Sequence, residues 1–419
     1  MRNQFLLLLM LFLPLVANAE TVEIDGIRYN LISKGNVAEV TRSSYKGNVD
    51  IPASINYDGT DYNVTSIGER AFEGCSGLES VTIPNTITVI RSYAFHGCDL
   101  SSIVIPNSVS SIEKYAFFEC YKLGNVTISN KLTNIGFYVF GRCGLTSVII
   151  PESVTEIENS GFFYCSNLEE ITIPGNVKTI GGQAFKGCSS LLSLKFEEGL
   201  TSIQSYAFKE CTSLESINFP NSLTSIGSEA FMGCENVTEI TFGKETSTIG
   251  SNAFGSCPNI NKVSCWAKAV PSTSTEAFAN SYIEYATLYI PSESINSYNS
   301  IEPWKNFENL VPLEDIQIEK CATPTITIVN NKLSFSCETD DVEYSYEITS
   351  IDVKKGNAIE VELEGTYKVS VYAMKEGYEN SDVATLEFSL GAGGKTGDVN
   401  GDGVVNAADV VKVANIIIQ

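Results

Sequence analysis

Histidine is nearly missing: the 419 residues hold one, His96. Acyl transfer and metal-assisted hydrolysis usually recruit that side chain. His96 stands in "AFHGC", at a position that sister segments fill with Glu73, Lys186 or Lys209 and that should face solvent. Nucleophile motifs, glycine-rich phosphate loops and zinc-ligand spacings are also missing. Neighbouring carboxylates such as Glu169 and Glu170 occur, but 50 acidic residues make such pairs commonplace, and a glycosidase needs its pair to flank a groove. A non-enzyme is expected. Bases are scarce as well, 27 against those 50 acids, for a net charge of −23. A surface of that sign repels phosphate backbones and anionic lipid heads, so no nucleic acid and no membrane surface is expected as partner. Beyond the first 20 residues no apolar run is long enough to span a bilayer.

What is present begins with "MRNQFLLLLMLFLPLVANAE": a basic Arg2, an apolar run from Phe5 to Val16, and the small residues Ala17 and Ala19. That layout is a signal peptide over residues 1–19, so an exported chain, secreted or held at the cell surface, is expected. An apolar content of 43% excludes a disordered chain, and 419 residues are too many for one ordinary core.

The middle of the chain is a repeat. Cysteine returns every 22 or 23 residues at Cys75, Cys98, Cys120, Cys143, Cys165, Cys188, Cys211, Cys234 and Cys257. Isoleucine stands eight residues before each of them, from Ile67 to Ile249, and phenylalanine three before, from Phe72 to Phe254. A leucine, valine or isoleucine follows, then an alternating stretch such as "SVTIP". A fixed period in this range marks a solenoid, whose coils hide apolar residues only against their neighbours. "LESVTIP" alternates as a half-buried strand, "LTSIG" reads as a second short strand, and "YAFKEC" suits a single helical turn at a corner. The fold class is thus an α/β, mostly β, repeat solenoid. Nine full coils and a degenerate tenth over residues 64–294 would make a rod roughly 45–50 Å long at the ~4.8 Å strand spacing.

The cysteines could form a disulfide ladder, a metal array or a column of buried thiols. Side chains that point the same way one strand spacing apart fit poorly to the ~3.8 Å Cβ separation of a disulfide. A straight row cannot converge four sulfurs on a zinc ion. Cys265 lies eight residues after Cys257, in the strand slot filled elsewhere by Ile83, Ile105, Ile128, Ile173, Phe196 and Phe219. A cysteine that stands in for isoleucine is a packing residue, so buried thiols are expected throughout.

"VTSIGERAFEGCSGLESVTIPNT", Val64 to Thr86, and its copies resemble the BspA-like leucine-rich repeats. The resemblance implies a right-handed leucine-rich repeat solenoid on an exported protein, in a family linked to adhesion. It extends to an amino-terminal cap over residues 20–63 and, through "PWKNFENLVPL", to a closing cap over residues 295–316.

Two surfaces of such a rod could hold an extracellular protein or glycan. Thr82, Thr127, Thr172, Thr241 and Ser264 line the outer strand face, and Thr88, Thr133, Thr155, Thr201 and Thr224 the second strand. Hydroxyls there can bind a ligand, but they also keep any β-solenoid wet. The corner of coils two to five carries Phe118, Tyr121, Phe137, Phe163 and Tyr164 with Tyr138, in slots mostly filled by Glu, Gly, Lys or Ser in other coils, flanked by Tyr93 and Tyr115. Rings in otherwise polar slots suggest an exposed binding patch. Alternatively, each ring shields the next coil.

From residue 317 the pattern changes. "TPTITIVNNKLSFSC" reads as a hairpin about Asn330 and Asn331, with Ile328 opposite Leu333 and Ile326 opposite Phe335. In that register Cys337 faces Pro324, and Cys321 falls on the other face. Further strands at 342–348, 358–363, 366–374 and 383–390 complete a small β-sandwich over 317–390 that resembles immunoglobulin-like modules. A flexible linker follows at 391–397. Within 398–419, Asp398, Asn400, Asp402, Asn406 and Asp409 offer side-chain oxygens at loop positions one, three, five, nine and twelve, and Val404 its carbonyl at seven. That is the ligand layout of an EF-hand calcium loop, and Ca2+ is the expected cofactor. With its trailing helix the segment resembles one dockerin repeat, where dockerins pair two. The helix is too apolar to stand alone and implies a cohesin-like or self partner. A scaffold component docked through this tag, with the rod as spacer, is the alternative to a binding rod.

Overall fold

The computed structural model describes residues 20–313, 322–329, 332–338, 343–353, 365–374, 381 and 384–390. The expected signal peptide, Cys321, the Asn330–Asn331 turn, the strand at 358–363, the linker and the calcium loop lie outside the described residues. The chain divides into two compact units, residues 1–315 and 316–419.

The first unit is the solenoid. Its isoleucine column forms one wall in two parallel ladders: Ile67 pairs with Ile90 and Ile90 with Ile112, and Ile135, Ile157, Ile180, Ile203, Ile226 and Ile249 pair in succession. The alternating stretches form the second wall, also parallel and in register. Glu170–Ile173 pairs with Ser193–Phe196, and Ser216–Asn218, Glu239–Phe242, Lys262–Cys265, Thr287–Ile290 and Asn309–Pro312 follow side by side. Between the walls lie the leucines and the phenylalanines, all nine of the latter fully buried. Each phenylalanine stacks on the next with ring centroids 4.8–5.7 Å apart. In-register stacking follows from the constant period: equal coils bring like residues to like places.

The third side is a tighter corner than the helical turn the sequence suggests. It consists of successive hydrogen-bonded turns, and two residues of each coil take left-handed backbone, at five and one before the cysteine. In the second coil these are Tyr93 (φ 59) and Gly97 (φ 66); in the third, Tyr115 (φ 60) and Glu119 (φ 61). Bulky residues pay roughly 1–2 kcal/mol each for that conformation. The return is a ladder: alternate N–H groups turn toward the next coil. Thus Arg70 donates to Ser92, Phe72 to Ala94 and Gly74 to His96, and the same three bonds recur coil by coil to Asn252, Phe254 and Ser256. A helix would direct those N–H groups into its own turn instead.

The solenoid cysteines, Cys75 to Cys265, are buried and free. Their sulfurs have a task beyond filling space. From Cys98 to Cys257 each Sγ–H donates to the carbonyl of the phenylalanine one coil back, at 2.9–3.4 Å. A small apolar side chain with one weak donor suits that position. Burial pushes the thiols of Cys165 and Cys257 up to about 12, and those of Cys188, Cys211 and Cys234 well above their ordinary range. Cys265 sits in its strand slot as a buried residue and meets the Tyr298 hydroxyl at 3.2 Å.

At the start, hairpins reversing at Asp25–Gly26 and Asp58–Gly59, all four with positive φ, lay antiparallel strands onto the first coil. At the far end Trp304 is fully buried, its Nε1–H donating to Thr273 Oγ1 at 3.1 Å. The segment Asn309–Pro312, within the expected closing cap, continues the parallel wall.

In the second unit Thr325–Val329 pairs antiparallel with Lys332–Ser336, with Ile328 opposite Leu333 and Ile326 opposite Phe335 as the sequence implies. The Cys337 Sγ–H donates to the Ala322 carbonyl at 3.0 Å. Glu343–Val353, Gly365–Met374 and Ala384–Leu390 form a three-stranded antiparallel sheet.

Candidate functional site

The corner ladder fixes where its side chains go. Because the residue five before each cysteine recurs at the same left-handed position, Tyr93, Tyr115 and Tyr138 form an outer column, stacked at 4.9 and 5.1 Å with interplanar angles of 9° and 12°. Phe118, Phe137 and Phe163 add edge contacts to that column at 4.7–5.4 Å, and Phe163 meets Tyr164 at 4.6 Å. Seven of the eight expected residues therefore make one continuous aromatic surface. Tyr121 does not join it; it follows Cys120 and stands alone, 61% exposed. Within the surface Phe137 is 36% and Tyr164 39% exposed, and the other rings are half-buried. The rings thus both cover the coils beneath and offer edges to solvent.

Charge frames the surface. The Arg70 guanidinium lies 5.0 Å from the Tyr93 ring centroid. His96 stacks on Phe118 at 5.8 Å, with its ring nitrogens 3.8 Å from Glu73 and 3.7 Å from Glu119. The single histidine is thus half-buried between two carboxylates. The Tyr164 hydroxyl donates to Glu210 Oε2 at 3.1 Å; desolvation first, then that bond, raises its phenol above the ordinary range.

The hydroxyls of the second strand are largely occupied by the fold. Thr155, Thr201 and Thr224 donate to backbone carbonyls one coil back at 2.9–3.1 Å. Two features escaped the sequence reading. Val104 and Ile149, in the outer strand slots between the threonines, are 63% and 86% exposed; the run "SVII" carried that signal for Ile149. Beside the aromatic surface lies a groove of about 570 Å3, where the tyrosine column is interrupted by Ser160 and Gln183 before resuming at Tyr206. Only a comparison of the same slot across five coils could have found it.

Among the described residues no group of three or more His, Cys, Asp or Glu side chains could hold a metal ion, and no helix is long and apolar enough to cross a membrane.

A stack of parallel coils with a cysteine-and-phenylalanine interior defines the class, a leucine-rich repeat solenoid. Residues 53–169 and 156–284 match the BspA type leucine rich repeat region, in 6 copies, and the chain belongs to that family. No curated protein sequence matches the chain. Among solved structures it is similar to a leucine rich cell surface protein from Faecalibacterium prausnitzii, with 24% identity over 70% of this chain and 95% of that one, TM-score 0.41. It is also similar to a leucine-rich repeat protein from Bacteroides ovatus (24% identity, 64% and 99% covered, TM-score 0.29). A third is the pneumococcal vaccine antigen PcpA (18% identity, 70% and 98% covered, TM-score 0.34).

Proposed function

We propose that the chain is an exported, non-catalytic recognition protein whose rod engages an extracellular protein or glycan through the aromatic corner of coils two to five. One observation carries this reading. Seven rings join into one surface at slots where sister coils do without them: Lys186 and Lys209 stand where Phe118 and Phe163 do. The fold therefore does not need those rings. Tyrosine-rich surfaces concentrate binding energy because a large, stiff side chain loses little entropy on contact. Family membership supports a surface protein that binds, as does the leader expected over residues 1–19.

The test exchanges Phe118→Lys and Phe163→Lys together, which installs residues the slot already accepts. Binding of the full chain to immobilised mucin and extracellular-matrix preparations should fall at least about tenfold, a change of 1.4 kcal/mol. Unchanged binding sinks the reading. The terminal loop is proposed to take Ca2+ through Asp398, Asn400, Asp402, Val404, Asn406 and Asp409, on the donor chemistry of those residues. Titration calorimetry of the full chain with no heat at millimolar calcium would remove that part.

A further inference from the structure

We infer that the groove beside the aromatic corner is a binding site for a short, neutral oligosaccharide. This rests on the recognition reading and names what one end of that surface takes. The groove opens where the outer tyrosine column fails. Tyr138 and Tyr206 occupy the same slot three coils apart, about 14 Å at the ~4.8 Å coil spacing, and Ser160 and Gln183 stand between them. Its volume of about 570 Å3 falls within the range of small-molecule sites, ~300–1,000 Å3.

Three side-chain amides serve the space between the rings. The Gly182 N–H donates to Asn159 Oδ1 at 2.7 Å and to Gln204 Oε1 at 3.2 Å. That shared donor fixes which way both amides face, oxygen inward, so each NH2 group is left with two donors and no hydrogen bond to any described residue. The Gln183 amide likewise bonds to no described residue. Ring faces for the C–H surface of a sugar, with planar amides for its hydroxyls, are the pairing a saccharide calls for.

Two further observations narrow the ligand. No charged residue lines the groove, and the Lys209 ammonium, 5.4 Å from the Tyr206 ring centroid, is paired with Glu229 at 2.8 Å. The whole chain carries −23, and no cation lines the groove to hold an acidic sugar. A peptide added as a further strand would need unpaired backbone at a sheet edge. Here the Ser160, Gln183 and Tyr206 N–H groups all donate to the next coil, to Gly182, Ser205 and Ser228.

The experiment titrates the full chain with maltohexaose, cellohexaose and mannohexaose, with hexagalacturonate as the acidic probe and a randomised octapeptide library as the peptide probe. Gln183→Tyr continues the tyrosine column with the residue its slot takes in four other coils, so it fills the groove without disturbing the fold. Tyr206→Ser installs the residue the slot holds in the fifth coil and removes one wall. At least one neutral hexasaccharide should bind saturably and hexagalacturonate should not; Gln183→Tyr should abolish binding, and Tyr206→Ser weaken it by about tenfold. Binding by none of the three neutral probes, binding that survives Gln183→Tyr, or Gln183-dependent binding of octapeptides in their place overturns the inference. Phe118 and Phe163 do not line the groove but touch its Tyr138 wall, whereas Gln183→Tyr and Tyr206→Ser exchange none of the seven corner rings and so test the groove separately. Intact surface binding through those rings with no saccharide binding removes the groove site alone.

Discussion

Two columns of rings run along the same rod with nearly the same spacing. The inner one, Phe72 to Phe254, passes unbroken through nine coils and is fully buried. The outer one, Tyr93, Tyr115 and Tyr138, stacks as closely yet stops after three and resumes once, at Tyr206. Equal geometry therefore has unequal causes. Every coil needs the inner ring, because without it the space between the two β walls is empty. No coil needs the outer ring, since Ser160, Gln183, Glu229 and Asn252 occupy its place in coils that stack equally well. Repetition imposes the spacing on both; only burial imposes the residue.

The sharpest test of that difference is alkaline pH, because the inner side also carries the thiols. Burial lifts Cys98, Cys143, Cys188, Cys211 and Cys234 above the ordinary 9.0, and Cys165 and Cys257 to about 12. Below pH 9 both folded and unfolded thiols are protonated and the contribution is constant. As pH rises past 9 the unfolded chain loses protons that the folded chain keeps, so stability falls, by about 1.4 kcal/mol per pH unit for each such thiol. Urea midpoints under reductant should stay level from pH 7 to 8.5 and drop steeply by pH 10, and Cys188→Ala should flatten the slope by one proton. A level profile to pH 10 would mean that the thiols are not sealed inside. Next in size, Phe185→Ala should cost about 3–5 kcal/mol by urea unfolding, the usual range for a buried ring. A loss near zero would erase the distinction between the columns.

The outer column should give smaller numbers. Tyr115→Ala forfeits two stacking contacts, each worth about 0.5–1.5 kcal/mol. Tyr115→Gly should lose less, because glycine accepts φ 60° without the Cβ conflict. Measuring glycine as the worse of the two would contradict the left-handed corner. Smallest of all, Ile149→Thr on the outer strand face should move stability by no more than about 0.5 kcal/mol in a thermal melt.

Much of this was legible in the chain. Alternation in "SVTIP" and the isoleucine column place both walls, and the cysteine in an isoleucine slot at position 265 reveals a packed interior. The hairpin register follows from the two asparagines at 330–331 and the alternation on either side of them. The corner did not declare itself. "YAFKEC" includes the good helix formers Ala207, Lys209 and Glu210, and left-handed backbone at Tyr206 and Glu210 carries no glycine to betray it. The carbonyls of the next coil select that shape, and they are 21 to 24 residues away.

Sequence by itself determined the period, which residues turn inward, and the acidic balance of 50 to 27 with its single histidine. Tertiary structure alone decided that the corner is a ladder of turns, that seven rings meet while Tyr121 stands apart, and that a gap in the tyrosine column is a groove. The reason is range. Burial patterns are written within one coil, whereas a surface exists only between coils, where each residue's neighbour is a full repeat distant along the chain.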